Sequence, residues 1–143
     1  MSRYVGITLD FANEIPISEL IGSLTRGGWR LDDSGHISYL VEPDMTDWDT
    51  RPLEAIPVVV EELERARKIH GACAVILTWL ETGIGGSFLV SRGGKKLTLD
   101  PRVDTVYRDD SPDYIDFEWY LKKILPVVSE LGLAGYTVAD LPS

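Results

Sequence analysis

Asp44, Asp47 and Asp49 crowd around Trp48 in one short stretch (Glu42 to Asp49, EPDMTDWD), and Asp109, Asp110, Asp113, Asp116 and Glu118 lie just ahead of Trp119 in a second (Asp109 to Tyr120, DDSPDYIDFEWY). Carboxylates so spaced offer two kinds of chemistry: hard oxygen ligands for a cation, or a negative field in which an aromatic ring supplies apolar contact. The first fits poorly. Counted as a calcium loop from Asp44, the stretch puts Thr46 and Trp48 where ligands belong and Asp49 where the turn glycine belongs. The solvated-charge alternative is that these are loop acids, with Asp109, Asp110 and Asp113 favouring a helix N-terminus.

Other reactive side chains form no recognised constellation. His36 and His70, the only imidazoles, stand in no zinc-ligand spacing. Cys73 sits in the apolar run ACAVILTWL, where a thiol behaves as a small hydrophobe, and a lone cysteine closes no intramolecular disulfide. Gly83-Ile84-Gly85-Gly86-Ser87 lacks both the lysine of a phosphate loop and the third glycine of a dinucleotide fingerprint, so its glycines read as turn residues between strands. Ser87 and Ser91 lack a nucleophile-elbow motif. The sequence thus carries no catalytic motif, no cofactor-binding motif and no metal-ligand set.

The elements that position the acids follow from periodicity. Arg3 to Phe11 alternates as a half-buried strand. A short helix runs from Pro16 or Ile17 to Thr25 before Gly27-Gly28. Trp29 to Asp32 and His36 to Val41 flank Asp33-Ser34-Gly35 and are expected to pair as an antiparallel hairpin. A helix that starts at Pro57, after a short turn, or else near Pro52 with Pro57 interrupting it, runs to about Gly71, the start at Pro57 being favoured, and sets Val59, Leu63, Ala66 and His70 at helical spacing on one face. Ala72 to Leu80 reads as a central strand covered on both sides, and Ser87 to Arg92 with Lys95 to Leu99 reads as a hairpin around Gly93-Gly94. A third helix is predicted from Pro112 to Leu131, capped by Ser111 and stopped by Gly132, followed by a short strand at Tyr136 to Asp140. At 100° per residue, Phe117, Leu121, Ile124, Val128 and Leu131 share its core stripe, which turns Ile115 and Trp119 outward.

The resulting order, β-α-β-β-α-β-β-β-α-β, predicts an α+β fold with a largely antiparallel or mixed sheet covered by about three helices. Its first six elements match a ferredoxin-like unit in order alone. At 143 residues the chain is the size of one globular domain, 1–143.

Fourteen Lys and Arg against 23 Asp and Glu give a net charge of −9, which repels nucleic-acid backbones and anionic lipid. No apolar run is long enough to span a bilayer, and Asp10 interrupts the N-terminus too early for a signal peptide, so a cytoplasmic location is expected. Together these features predict a small acidic module that masks a basic partner protein, such as a toxin, in the manner of an antitoxin or immunity protein. Asp44, Asp47, Trp48, Asp49, Asp109, Asp110, Asp113, Ile115, Asp116, Glu118 and Trp119 are its expected contact residues. The alternative is an enzyme or small-ligand binder with a pocket between sheet and helices, lined by carboxylates and Tyr39, Tyr107 or Trp79. A homo-oligomeric structural protein is a third reading.

Overall fold

The computed structural model describes residues 3–42, 44 and 46–142; Pro43 and Met45, within the first acidic stretch, lie outside the described residues. Alternation makes Arg3–Phe11 the strand β1. Ile17–Arg26 follows as α1, burying Leu20, Ile21 and Leu24 at helical spacing. Three short strands come next, β2 (Trp29–Arg30), β3 (His36–Leu40) and β4 (Asp49–Pro52). A 3₁₀ turn at Leu53–Ala55 leads into α2, Ile56–His70, which places Pro57 in the first turn, where a missing amide is tolerated. Gly71, at φ 78°, ends it.

The strands β5 (Cys73–Trp79), β6 (Gly85–Ser91) and β7 (Lys96–Val103) form an antiparallel meander. The helix α3 (Phe117–Val128), a 3₁₀ turn at Ser129–Leu131 and the strand β8 (Leu133–Pro142) complete the elements among the described residues.

The fold is α+β, with an eight-stranded antiparallel sheet and three α-helices among the described residues, in the expected order. The short strand β4 was not anticipated. The sheet runs β4-β3-β5-β6-β7-β1-β8, with β2 paired to β5. Register builds the core as rows across one face: Ile7, Leu99, Phe88, Val75 and Tyr39 are successive neighbours, as are Leu9, Leu97, Val90 and Cys73. Leu20, Leu24, Val59, Leu63, Tyr120, Ile124 and Val128 from the helices join these rows in one cluster. The next row on the opposite face reads Thr8, Thr98, Leu89 and Ala74, a mixed and more polar surface.

Four expectations are corrected. β2 and β3 do not pair among the described residues, where an isolated Asp33–His36 bridge closes the turn between them; both dock instead along the same edge of β5, whose seven residues accommodate two short strands end to end. The ferredoxin-like order does not extend to topology, because β1 lies between β7 and β8 rather than beside the strand that follows α2. Gly85 and Gly86 belong to β6 rather than to the turn. A side chain there would run into the carbonyls of Leu77 and Asp100, so these glycines serve close backbone approach. Finally, α3 starts at Phe117 with Asp116 as its cap, not at Pro112 with Ser111.

Candidate functional site

The second acidic stretch is a braced loop. After β7, Asp104 turns the chain at φ 47°, and the Thr105 hydroxyl donates to the Pro101 carbonyl at 2.6 Å. Tyr107 and Ile115 then form an antiparallel bridge, supported by Arg108 N–H to Tyr114 O at 2.9 Å and Asp116 N–H to Val106 O at 2.9 Å. The tip between them carries Asp109, Asp110 and Asp113, all exposed. Two anchors hold the base. Ile115 is only 6% exposed and belongs to the core, while the buried Tyr120 hydroxyl accepts the Val106 N–H at 3.0 Å.

The outward placing of Ile115 is therefore overturned. It precedes the helix, so helical phase does not govern it, and its bridge to Tyr107 turns the side chain inward. Trp119 is also no free-standing anchor: its half-buried ring packs on the core, edge-on to Tyr120 at 5.0 Å. Lys123 lies 5.3 Å from its centroid and 5.5 Å from that of Trp79, bridging the two indoles. The deepest residues of α3 are Tyr120, Ile124 and Val128, with Phe117, Leu121 and Leu131 partly buried beside them.

The loop's acids differ in their surroundings. Arg108 grips Asp110 with two hydrogen bonds of 2.9 and 2.8 Å, which holds the Asp110 carboxyl below its usual range and raises the guanidinium. Asp116 caps α3 by accepting the Trp119 amide at 3.3 Å, and Glu118 pairs with Lys122 one turn on at 3.0 Å. Asp140 of β8 reaches the Ile115 amide at 3.4 Å, joining loop to strand. Between them opens a depression of about 440 Å³ lined by Arg108, Ser111, Tyr114, Ile115, Phe117, Glu118 and Asp140. The aromatic surface here is Tyr107, 51% exposed, and Tyr114, 56% exposed.

The first acidic stretch lies far away. It joins β3 to β4 at one edge of the sheet and at the end of the strands where β5 begins; the second follows β7, at the opposite strand end and beside the edge strand β8. The two edges are six strand steps apart, about 29 Å along the sheet at the usual spacing. Asp44, Asp47, Trp48 and Asp49 are exposed there, but they share no compact surface with the second group. Behind them, Tyr39 donates to Glu62 at 2.6 Å while Arg51 bonds both at 2.8 and 2.7 Å.

Among the described residues, one apolar cavity of about 10 Å³, roughly the room one water needs, lies between sheet and helices. Tyr39, Tyr107 and Trp79 do not line it. A larger polar depression, about 340 Å³, opens at the strand ends among Arg30, Asp32, Asp33, Ser34, Thr78, Leu80, Glu81, Gly83, Val103 and Asp104. Three of its carboxylates have structural partners: Asp32 accepts the Gly35 amide at 2.7 Å, Asp33 the Ser38 hydroxyl at 2.7 Å, and Glu81 sits 3.6 Å from Arg30. Burial pushes the Cys73 thiol up to about 12, far from the range of a nucleophilic cysteine. No metal-ligating group of three or more His, Cys, Asp or Glu gathers among the described residues, and none of their helices is long and apolar enough to cross a membrane.

Sequence reasoning missed Tyr120 and Tyr107 as the braces of the loop, and it missed the position of β8 at the sheet edge. Comparison with protein-family models, with curated proteins and with solved structures found no match.

Proposed function

We propose that this chain is a small cytoplasmic acidic module that binds and masks a basic partner protein, of antitoxin or immunity-protein character, through the loop at 107–116 and its surroundings. The observation that carries the reading is the braced tip. Asp109, Asp110 and Asp113 project from a loop whose base is fixed by Ile115 and by the Tyr120–Val106 hydrogen bond. Charges already held in place cost little ordering on association, and a net charge of −9 steers a cation-rich surface toward them. Tyr107 and Tyr114 supply the apolar contact that slows release, the role that sequence alone gave to Trp119.

The test is capture on immobilised protein across a salt series. A saturable basic partner is expected, with affinity falling as salt rises and falling further in Asp109→Lys and Tyr114→Ala. Binding indifferent to salt and to both substitutions would defeat the assignment.

One observation favours a small-ligand reading at a different place from the interlayer space. Ser34, Leu80 and Asp104, three of the four described non-glycine residues with positive φ, all line the 340 Å³ depression. A small cationic ligand that raises the melting temperature, and loses that effect in Asp104→Asn, would support it over protein masking.

A further inference from the structure

The two edges of the sheet are finished differently. β4 is four residues long and carries Asp49, Arg51 and Pro52, the charges and proline that keep an edge from pairing. β8 runs ten residues from Leu133 to Pro142 with Asp140 as its one charge. Among the described residues β1 is its only strand partner.

The direction of its main-chain groups follows from the ladder. Phe11 donates to the Lys95 carbonyl at 2.9 Å, so Phe11, Leu9 and Ile7 turn their amides and carbonyls toward β7. Thr8 and Gly6 then turn toward β8, where Thr137 and Ala139 answer them. Tyr136 and Val138 are left with amide and carbonyl facing the open edge. Their side chains also extend the core rows beyond the helices: Val138 is the neighbour of Ile7, and Tyr136 of Leu9. Ile7 and Leu9 are wholly buried, whereas Val138 is 39% and Tyr136 47% exposed.

We infer that the open edge of β8 takes an extended, basic segment of a partner protein as an added strand, paired to the main chain at Tyr136 and Val138. The inference rests on the masking role proposed above and specifies how the partner docks. Charge selects the occupant. Asp140 lies on β8, the acidic loop is bonded to it through Ile115, and Glu130 is exposed just ahead of its start. A second copy of the chain would bring another net charge of −9, whereas lysine or arginine at alternate positions would meet these carboxylates.

The probe is a ten-residue peptide with valine at alternate positions and lysine or threonine between them, titrated into the whole protein and followed by amide chemical shifts and hydrogen exchange. Slowed exchange at Tyr136 and Val138 is expected. Val138→Pro removes an outward amide without breaking the β1–β8 ladder and should weaken binding about tenfold, while Val138→Lys should do so by charge with the backbone intact. Replacing the peptide's lysines by glutamate should weaken it by a similar factor.

Equal binding of both peptides, or no binding of either, would overturn the inference. So would dimerisation of the protein alone with those two amides already protected, since the occupant would then be a second copy. Salt-sensitive capture of a basic protein that survives both Val138 substitutions would also overturn it while leaving the masking role intact. Loss of all such capture in the native chain would remove the masking role itself.

Discussion

Replacing Tyr120 by phenylalanine isolates the bond that braces the acidic loop. The ring is fully buried, and phenylalanine keeps its packing, so no cavity beyond one oxygen is created. What is lost is the acceptor for the Val106 amide at 3.0 Å. Orphaning a buried amide costs 1–3 kcal/mol, and the half-buried position of Val106 places the expected loss near the lower part of that range, about 1.5 kcal/mol. For a chain of this length that corresponds to a fall of about 5 °C in melting temperature. Denaturant unfolding gives the free energy, and hydrogen exchange of the Val106 amide reports the bond directly. Tyr107→Phe, at an exposed ring, should stay within about 0.5 kcal/mol of the native chain. Unchanged Val106 exchange and a loss no larger than that of Tyr107→Phe would refute the brace.

Other outcomes follow from the same geometry. Burial raises the pKa values of Tyr120 and Tyr39, the latter helped by the Glu62 hydrogen bond, above the ordinary value of 10.0. The folded chain therefore keeps protons that the unfolded chain releases; this stability is complete below pH 10 and is lost as pH rises through the folded values, so denaturation midpoints should fall in that alkaline range and less steeply in Tyr120→Phe. Cys73, pushed up to about 12, should resist a thiol reagent at pH 8 in the native protein and react at once on unfolding; prompt native labelling would contradict its burial. Gly86→Ala should cost about 2 kcal/mol or more, read by denaturant melts, because the new methyl collides with the Asp100 carbonyl across the sheet; a neutral result would mean that β6 and β7 are not so close.

Local pattern made much of the fold legible. Val5, Ile7, Leu9 and Phe11 alternate cleanly, and β1 has the expected bounds. α2 and the β6–β7 hairpin were equally plain, because helical spacing, Pro57, Gly71 and Gly93-Gly94 act within a few residues. Non-local partners hid the rest. β4 is polar and two residues beyond Asp47, with no apolar alternation to betray it, and it exists because β3 offers an edge. Ile115 looked helical in sequence, but its bridge to Tyr107 and its place in the core hold it before the helix. The side of Trp119 could not be read from helical phase because Lys123 and Tyr120 fold its ring onto the body. Tyr136 and Val138 alternate like any strand; that their outer edge is open depends on where β8 falls in the sheet order.

We propose that a fixed acidic tip captures a cationic protein surface. A captured partner, titrated over a range of salt concentrations against the native chain and against Asp109→Asn/Asp113→Asn, tests it most directly. Weaker binding by the variant at low salt, a shallower salt dependence, and convergence of the two proteins as screening grows are expected. Identical affinities and identical salt slopes would contradict it.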